Sequence, residues 1–389
     1  MVKVICNFDN LTTVLSNIAL VVEDALSSED MKNVIMRVHK QGSAVELIGV
    51  NQMITYRVSL EEGSYSVEAT DEEYGDTDVI QIQLKSKELN SFLGAFKTMH
   101  KTKVTEVEFE TIKNKISVTV VEEDIESGVQ HRANWLFDSI PIKANMLPSI
   151  NIAMPEETET LDVVAMMLYT SSLFPVMTST GNLYSKLVFS ENHVVAFSTA
   201  FTVMMKNFLT GVFSNLTLSY RALSFMKAVV CNEQLVEVAK TDERICLRMG
   251  NAVAFIRFDT KTPNYALYES MIQKNHAIVL DRQYFKDVLK RLSLVNESVQ
   301  FSVNAEDGVV EVRNSKFHQE LPILQTKAIE ELGTVSFKIL PEVFNKAIIG
   351  DDATFSQLVF IYFEPQEKGG YNLIFADDSG SWNSVARVH

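Results

Sequence analysis

The sequence predicts an α+β fold of three similar domains, each built from two strand–helix–strands repeats. Three observations predict it. Six times, a short β-rich run passes directly into an amphipathic helical run and then into more β-rich sequence. The six strand starts lie 76, 81, 55, 62 and 57 residues apart, a spacing that marks an array of one structural unit. Two proline-bearing connectors, Ile140–Pro155 and Thr260–Asn275, divide the six repeats into three pairs. The expected domains are 1–147, 148–273 and 274–389. Repeats of one surface usually make one extended binding surface.

The first three junctions are Val4–Phe8 into Asp9–Val22, Ile80–Leu84 into Ser86–His100, and Leu161–Val164 into Ala165–Val176. The later three are Leu216–Leu218 into Ser219–Cys231, Ile278–Leu280 into Asp281–Leu294, and Val335–Ile339 into Leu340–Ile349. Asp9 and Asp281 stand where an N-cap carboxylate accepts orphan amide protons. Pro341 stands just inside the sixth helix, where its missing N–H costs little. Between helices, Asn33–Gly42 and Ala44–Leu60 alternate around the Gln41-Gly42-Ser43 turn and read as a hairpin. Strands are also expected at Val104–Phe109, Lys115–Val121, Leu187–Phe189, Val194–Lys206, Leu235–Lys240 and Arg244–Asp259. The segment Glu61–Asp78 holds eight carboxylates and neither lysine nor arginine, and reads as a solvated loop.

Composition narrows the class. Hydrophobic residues at 46% and charged residues at 22% suit a globular protein, and 389 residues exceed one ordinary core. The opening MVKVICNFDN is not a signal peptide, and no apolar run reaches the roughly 18–20 residues of a membrane helix. Cys6, Cys231 and Cys246 form no CxxC pair, so no zinc site or disulfide framework is expected, and a cytoplasmic setting fits. Signatures for P-loop, zinc-protease, nucleophile-elbow and dinucleotide sites are missing from the sequence. Neither a catalytic residue, a cofactor nor a metal is therefore expected.

A net charge of −15 argues against a nucleic-acid binder taken globally. The field on one face matters more. Sorted by helix, the cations recur: Lys87, Lys97 and Lys101 on the second, Arg221 and Lys227 on the fourth, Arg282, Lys286 and Lys290 on the fifth. The last three fall four apart and are expected on one exposed face, opposite Phe285, Val288, Leu289 and Leu292. The sixth carries Asn345 and Lys346; the first and third are polar but neutral. Helices with basic or neutral faces in an acidic chain suggest one shared surface that meets a polyanion, tracking backbone phosphates rather than reading bases.

Three paired-repeat domains with basic helices resemble the processivity clamps of DNA replication, and the sequence looks like the bacterial β-type sliding clamp in a divergent viral form. Pro263-Asn264-Tyr265 resembles that family's FPDY-like turn. Asp281–Val295 resembles its helix with an arginine and a following apolar pair, and Ser384–His389 resembles its C-terminal MPMRL-like strand. The resemblance implies a "DNA clamp" fold with helices lining a ring and antiparallel sheets outside. It implies a head-to-tail homodimer around double-stranded DNA, and a clamp loader and a DNA polymerase as partners. By position it implies a partner-peptide pocket lined by Tyr184, Thr199, Phe201, Val203, Met204, Pro263, Leu267, Tyr268, Val385, Arg387 and Val388. It also implies a subunit interface using Ile116 and Val118 on the first domain and Leu294 and Val295 on the third. The family's Gly-His-Arg stretch is Phe201-Thr202-Val203 here, so the peptide preference is expected to differ from that of a host clamp. Helices about 10–12 Å wide and 8–10 Å apart make a circle of twelve roughly 35 Å across with about 24 Å free, while six leave about 7 Å. Two chains are thus needed to encircle a duplex. The alternatives are an acidic β-rich viral structural or adaptor protein that never meets DNA, and a hydrolase using an unrecognised carboxylate pair.

Overall fold

The computed structural model describes residues 2–23, 28–40, 44–69, 71–74, 77–97, 102–178, 183–209, 211–230, 235–261, 265–294, 297–349, 356–367 and 369–388. The first repeat is β1 (Lys3–Asn7), α1 (Phe8–Val22), β2 (Asn33–His39), β3 (Val45–Val50) and β4 (Ile54–Ser59). After β5 (Tyr65–Glu68) and α2 (Asp71–Tyr74), the second is β6 (Val79–Lys85), α3 (Ser86–Gly94), β7 (Thr102–Ile112), β8 (Lys115–Asp124) and β9 (Gln130–Asp138). A short α4 (Leu147–Ile150) precedes β10 (Glu159–Asp162), α5 (Val163–Leu173), β11 (Lys186–Phe189), β12 (His193–Phe197) and β13 (Phe201–Lys206). The fourth repeat is β14 (Leu216–Ser219), α6 (Tyr220–Val230), β15 (Leu235–Lys240), β16 (Arg244–Met249) and β17 (Ala252–Arg257). Past α7 (Ala266–Ser270) come β18 (Ala277–Asp281), α8 (Arg282–Ser293), β19 (Val299–Asn304), β20 (Val309–Arg313) and β21 (His318–Pro322). Then β22 (Gln325–Lys327) leads to β23 (Val335–Ile339), α9 (Pro341–Ala347), β24 (Leu358–Pro365), β25 (Tyr371–Ala376) and β26 (Trp382–Val388).

All six expected strand-to-helix junctions are present. Among the described residues every strand pairing is antiparallel, and apart from the short edge strands β5 and β22, which pair with β1 and β18, the joins between repeats follow one rule. Within a pair of repeats, the first strand of one lies beside the second strand of the other: β1 with β7 and β6 with β2, β10 with β15 and β14 with β11, β18 with β24 and β23 with β19. Fourth strands then join sheet to sheet, β4 with β17 and β13 with β26. These ladders build an eight-stranded sheet, β10-β15-β16-β17-β4-β3-β2-β6, and a nine-stranded one, β14-β11-β12-β13-β26-β25-β24-β18-β22. Two further sheets, β5-β1-β7-β8-β9 and β21-β20-β19-β23, end on fourth strands β9 and β21, which among the described residues have a neighbour on one side only.

The chain forms two compact units, Met1–Val163 with Phe225–Phe258, and Val164–Ser224 with Asp259–His389. The continuous ladders explain this partition, since a backbone ladder binds residues together more tightly than the repeat pattern does. In the first unit, α1 lays Leu11, Leu15, Ile18 and Val22 onto β3. The approach is so close that a Cβ at Gly49 would meet Ile18 Cγ2 at 2.9 Å, which is why that strand position carries glycine. In the second unit, α8 buries Phe285, Val288, Leu289 and Leu292, and Phe285 and Phe301 pack with ring centroids 6.1 Å apart.

Local differences from the sequence reading have local causes. Asp281 caps α8, its Oδ1 accepting from Tyr284 N at 2.7 Å, and Pro341 is the first residue of α9. Asp9 does not cap α1. Asn7 does, accepting from Asn10 N at 3.1 Å, and Asp9 lies in the first turn, where an anion suits the helix dipole. Ala44–Leu60 is two strands because Asn51 Oδ1 takes the N–H groups of Met53 and Ile54 at 2.8 and 2.7 Å, an Asx turn. Val194–Lys206 breaks at Ser198–Ala200, and Arg244–Asp259 breaks at Gly250, whose φ of +55° makes the turn. The acidic segment holds β5 and α2, the second connector holds α7, and α3 stops at Gly94. The Gln41-Gly42-Ser43 turn and Cys231 lie outside the described residues.

Candidate nucleic-acid interface and partner pocket

The basic residues separate into two groups. Lys87 on α3 is exposed, and Lys97 is exposed in the turn just beyond that helix. Arg221 and Lys227 on α6 are half-buried. Lys290 is exposed near the end of α8 together with Arg291, which the sequence reading passed over. Arg282 and Lys286, however, are only 6% and 4% exposed. Lys286 Nζ donates to Ile348 O at 3.0 Å and Arg282 Nη1 to Ile349 O at 3.2 Å. The expected three-cation face is therefore corrected. A helix advances about 100° per residue, so positions 282 and 286 lie beside Phe285 and Leu289, not opposite them. The two cations supply donors to carbonyls at the C-terminal end of α9, which lack intrahelical partners. Lys101 lies outside the described residues.

A cavity of about 320 Å³ lies in the second unit, lined by Ser198, Thr199, Ala200, Phe201, Thr202, Leu267, Tyr268, Met271, Val385 and Arg387. Three separate stretches build it: the β12–β13 turn, α7, and the last strand. Six of the expected pocket residues meet there, Thr199, Phe201, Leu267, Tyr268, Val385 and Arg387. Tyr184 and Met204 belong to the apolar layer that includes Val385, together with Val188, Val195, Phe197 and Ile374. Tyr268 closes on Phe197, ring centroids 6.0 Å apart and edge-on. Val203 and Val388 are buried and stand outside the cavity lining. Pro263 lies outside the described residues. Sequence reasoning missed Ser198, Ala200, Thr202 and Met271.

The rim is partly charged. Arg387 Nη2 sits 3.7 Å from Met271 Sδ, which holds the guanidinium at the edge of the cavity. Nearby, Lys274 Nζ lies 5.5 Å from the centre of the Tyr362 ring. Burial pushes the Lys274 ammonium below its ordinary range, with Asp377 opposing, and pushes the Tyr362 phenol up. Leu267, 59% exposed, presents an apolar side chain to solvent at the cavity mouth.

A second cavity, about 480 Å³, opens in the first unit between α3 and β9, lined by Lys87, Glu88, Ser91, Phe92, Ala95 and Trp135. Phe92 and Trp135 pack with centroids 5.9 Å apart, yet Trp135 is 56% and Leu136 is 53% exposed on the open strand β9. Ile116 and Val118, expected at a subunit interface, are 1% and 0% exposed. They lie on β8, one strand in from the edge, so the sheet's own core occupies them. Leu294 is 86% exposed just past α8, and Val295 lies outside the described residues. No helix among the described residues is long and apolar enough to cross a membrane.

No protein-family model and no curated protein matches this sequence. Solved structures do. The chain superposes over 100% of its length on all of the DNA polymerase III β chain of Streptococcus pneumoniae, with a TM-score of 0.74 at 14% identity. A DNA polymerase sliding clamp from Bacillus subtilis, covered over 99%, gives 0.73 at 13% identity. The sliding clamp of Pseudomonas aeruginosa bound to griselimycin, also covered over 99%, gives 0.72 at 13% identity. The fold of this chain is the sliding-clamp fold of repeated domains.

Proposed function

We propose that this chain is a sliding clamp, a non-enzymatic processivity factor that encircles duplex DNA and tethers a DNA polymerase to it. The observation that carries the reading is likeness of fold along the whole chain to DNA polymerase III β sliding clamps. The ring is a head-to-tail dimer of domains 1–147, 148–273 and 274–389. Strand pairing supports it: four of the six fourth strands are joined in pairs, and β9 and β21, one near each end of the array, are left open. Pairing β9 of one copy with β21 of the other extends the same rule to a heterologous interface that closes by two-fold rotation. That joint would cover Trp135 and Leu136, with Leu294 as the matching apolar group, in place of Ile116 and Val118.

Inside the ring, Lys87, Lys97, Lys290, Arg291, Arg221 and Lys227 make loose, salt-sensitive phosphate contacts. Arg282 and Lys286 drop out of that set because their nitrogens serve α9. The cavity beside Leu267 and Tyr268 takes a short apolar segment of the polymerase or of the clamp loader. The protein works where the DNA is copied, in a bacterial or infected-cell cytoplasm. The test loads the protein on nicked circular plasmid with a clamp loader and then linearises the DNA. Retention on the circle and loss from the linear form are expected; equal retention on both sinks the ring.

A further inference from the structure

Glu311 on β20 and Glu320 on β21 are register partners, directly opposite across the ladder. His318 lies two residues before Glu320 and so on the same face. Together they offer one imidazole nitrogen and two carboxylate oxygens, all within 4.8 Å of one another. Directly opposed like charges destabilise a strand pair unless a cation stands between them. Among the described residues no lysine or arginine forms an ion pair with either carboxylate. The adjacent cation, Arg313, is the register partner of His318 rather than of a glutamate.

We propose that Glu311, His318 and Glu320 bind a divalent transition-metal ion of the Zn²⁺ class. The donor set decides the class. A neutral imidazole with two carboxylates suits Zn²⁺, whereas Mg²⁺ favours all-oxygen ligands and retained water. Three protein ligands leave one tetrahedral position for water or for a donor from outside the chain. The β20–β21 ladder fixes the spacing of the three Cα atoms, so side-chain rotation alone brings the donors onto one ion. A bound ion replaces carboxylate repulsion with attraction to a shared charge, and it ties the open strand β21 to its single neighbour. Under the ring reading, β21 is the closing strand, so occupancy would tighten the dimer. That consequence rests on the ring; metal binding does not.

The experiment uses untagged full-length chain, stripped with a chelator, and titrates it with Zn²⁺ and with Co²⁺ by calorimetry. One equivalent is expected, with affinity falling at least tenfold in His318→Ala and in Glu320→Gln, while Mg²⁺ at the same concentration gives no heat. The bound Co²⁺ develops visible absorption that both variants lose. No binding, or equal binding in all variants from a merely adventitious ion, overturns the site. So does a chain on which Zn²⁺ has no effect while Arg313→Ala lowers the melting temperature, because Arg313 then neutralises the pair. Sedimentation with and without Zn²⁺ separates the two claims: metal binding with an unchanged dimer removes the ring consequence and leaves the site.

Discussion

Helices α3 and α8 occupy equivalent places in their repeats, each following a first strand, and they use equivalent positions for the same task with different residues. The first and fifth residues of α3 are Ser86 and Asn90, which donate to Glu23 Oε1 at the end of α1 at 2.8 and 2.9 Å. The first and fifth residues of α8 are Arg282 and Lys286, which donate to the carbonyls at the end of α9. In both, this pair serves the C-terminal end of the partner helix in the same pair of repeats. Place in the repeat, not residue type, decides whether a cation faces solvent. Lys87, one position along from Ser86, is exposed; Arg282, at the position of Ser86, is not.

The comparison breaks most sharply at Lys286. Lys286→Met keeps the buried stem and removes the charged donor, leaving a hydrogen-bond acceptor of α9 unmatched. The expected cost is about 2 kcal/mol, against about 1 kcal/mol for Asn90→Ala, where the bond to Glu23 is exposed and water replaces it. Urea unfolding of both variants measures it. A stable Lys286→Met protein with weakened DNA binding would return Lys286 to the basic face.

That outcome bears on what the sequence could reveal. The six junctions were legible because apolar periodicity changes there from two to about 3.6. The split of Val194–Lys206 was not, because Ser198-Thr199-Ala200 contains neither glycine nor proline to mark a turn. Strand β9 escaped because most of its side chains face solvent, so it has no half-buried alternation. The cavity was legible only through family resemblance. Its walls come from residues near 200, 268 and 386, and spacing carries no signal between segments so far apart. Helical phase was the sequence signal for the burial of Arg282 and Lys286, since it sets them beside Phe285 and Leu289, and laying the repeats over one another places them on Ser86 and Asn90.

A second, smaller contrast sits at the helix starts. Asp281 caps α8, whereas Lys85 at the same position of α3 makes no side-chain cap bond. Asp281→Ala should cost about 1 kcal/mol, the usual worth of an N-cap acceptor. Lys85→Ser supplies the missing acceptor and should raise the melting temperature, even though it removes the exposed Lys85–Glu88 pair at 3.0 Å, because such pairs contribute little. A fall in melting temperature for Lys85→Ser would show that the pair, not the cap, sets the start of α3.

The finest division concerns salt. An exposed lysine that meets a phosphate releases about one counterion, so Lys87→Ala and Lys290→Ala should each lower the slope of log affinity against log salt by about one. Neither should move the melting temperature, since each side chain stands in solvent. Arg282→Met should do the reverse, lowering stability and leaving the slope alone, because its guanidinium already serves Ile349 O. Filter binding of short duplex DNA across a salt series, paired with thermal unfolding, measures both quantities on one set of variants. If Arg282→Met lowers the slope as Lys87→Ala does, α8 turns its cations outward when DNA arrives. The equivalence of α3 and α8 would then hold for the free chain and fail for the bound one.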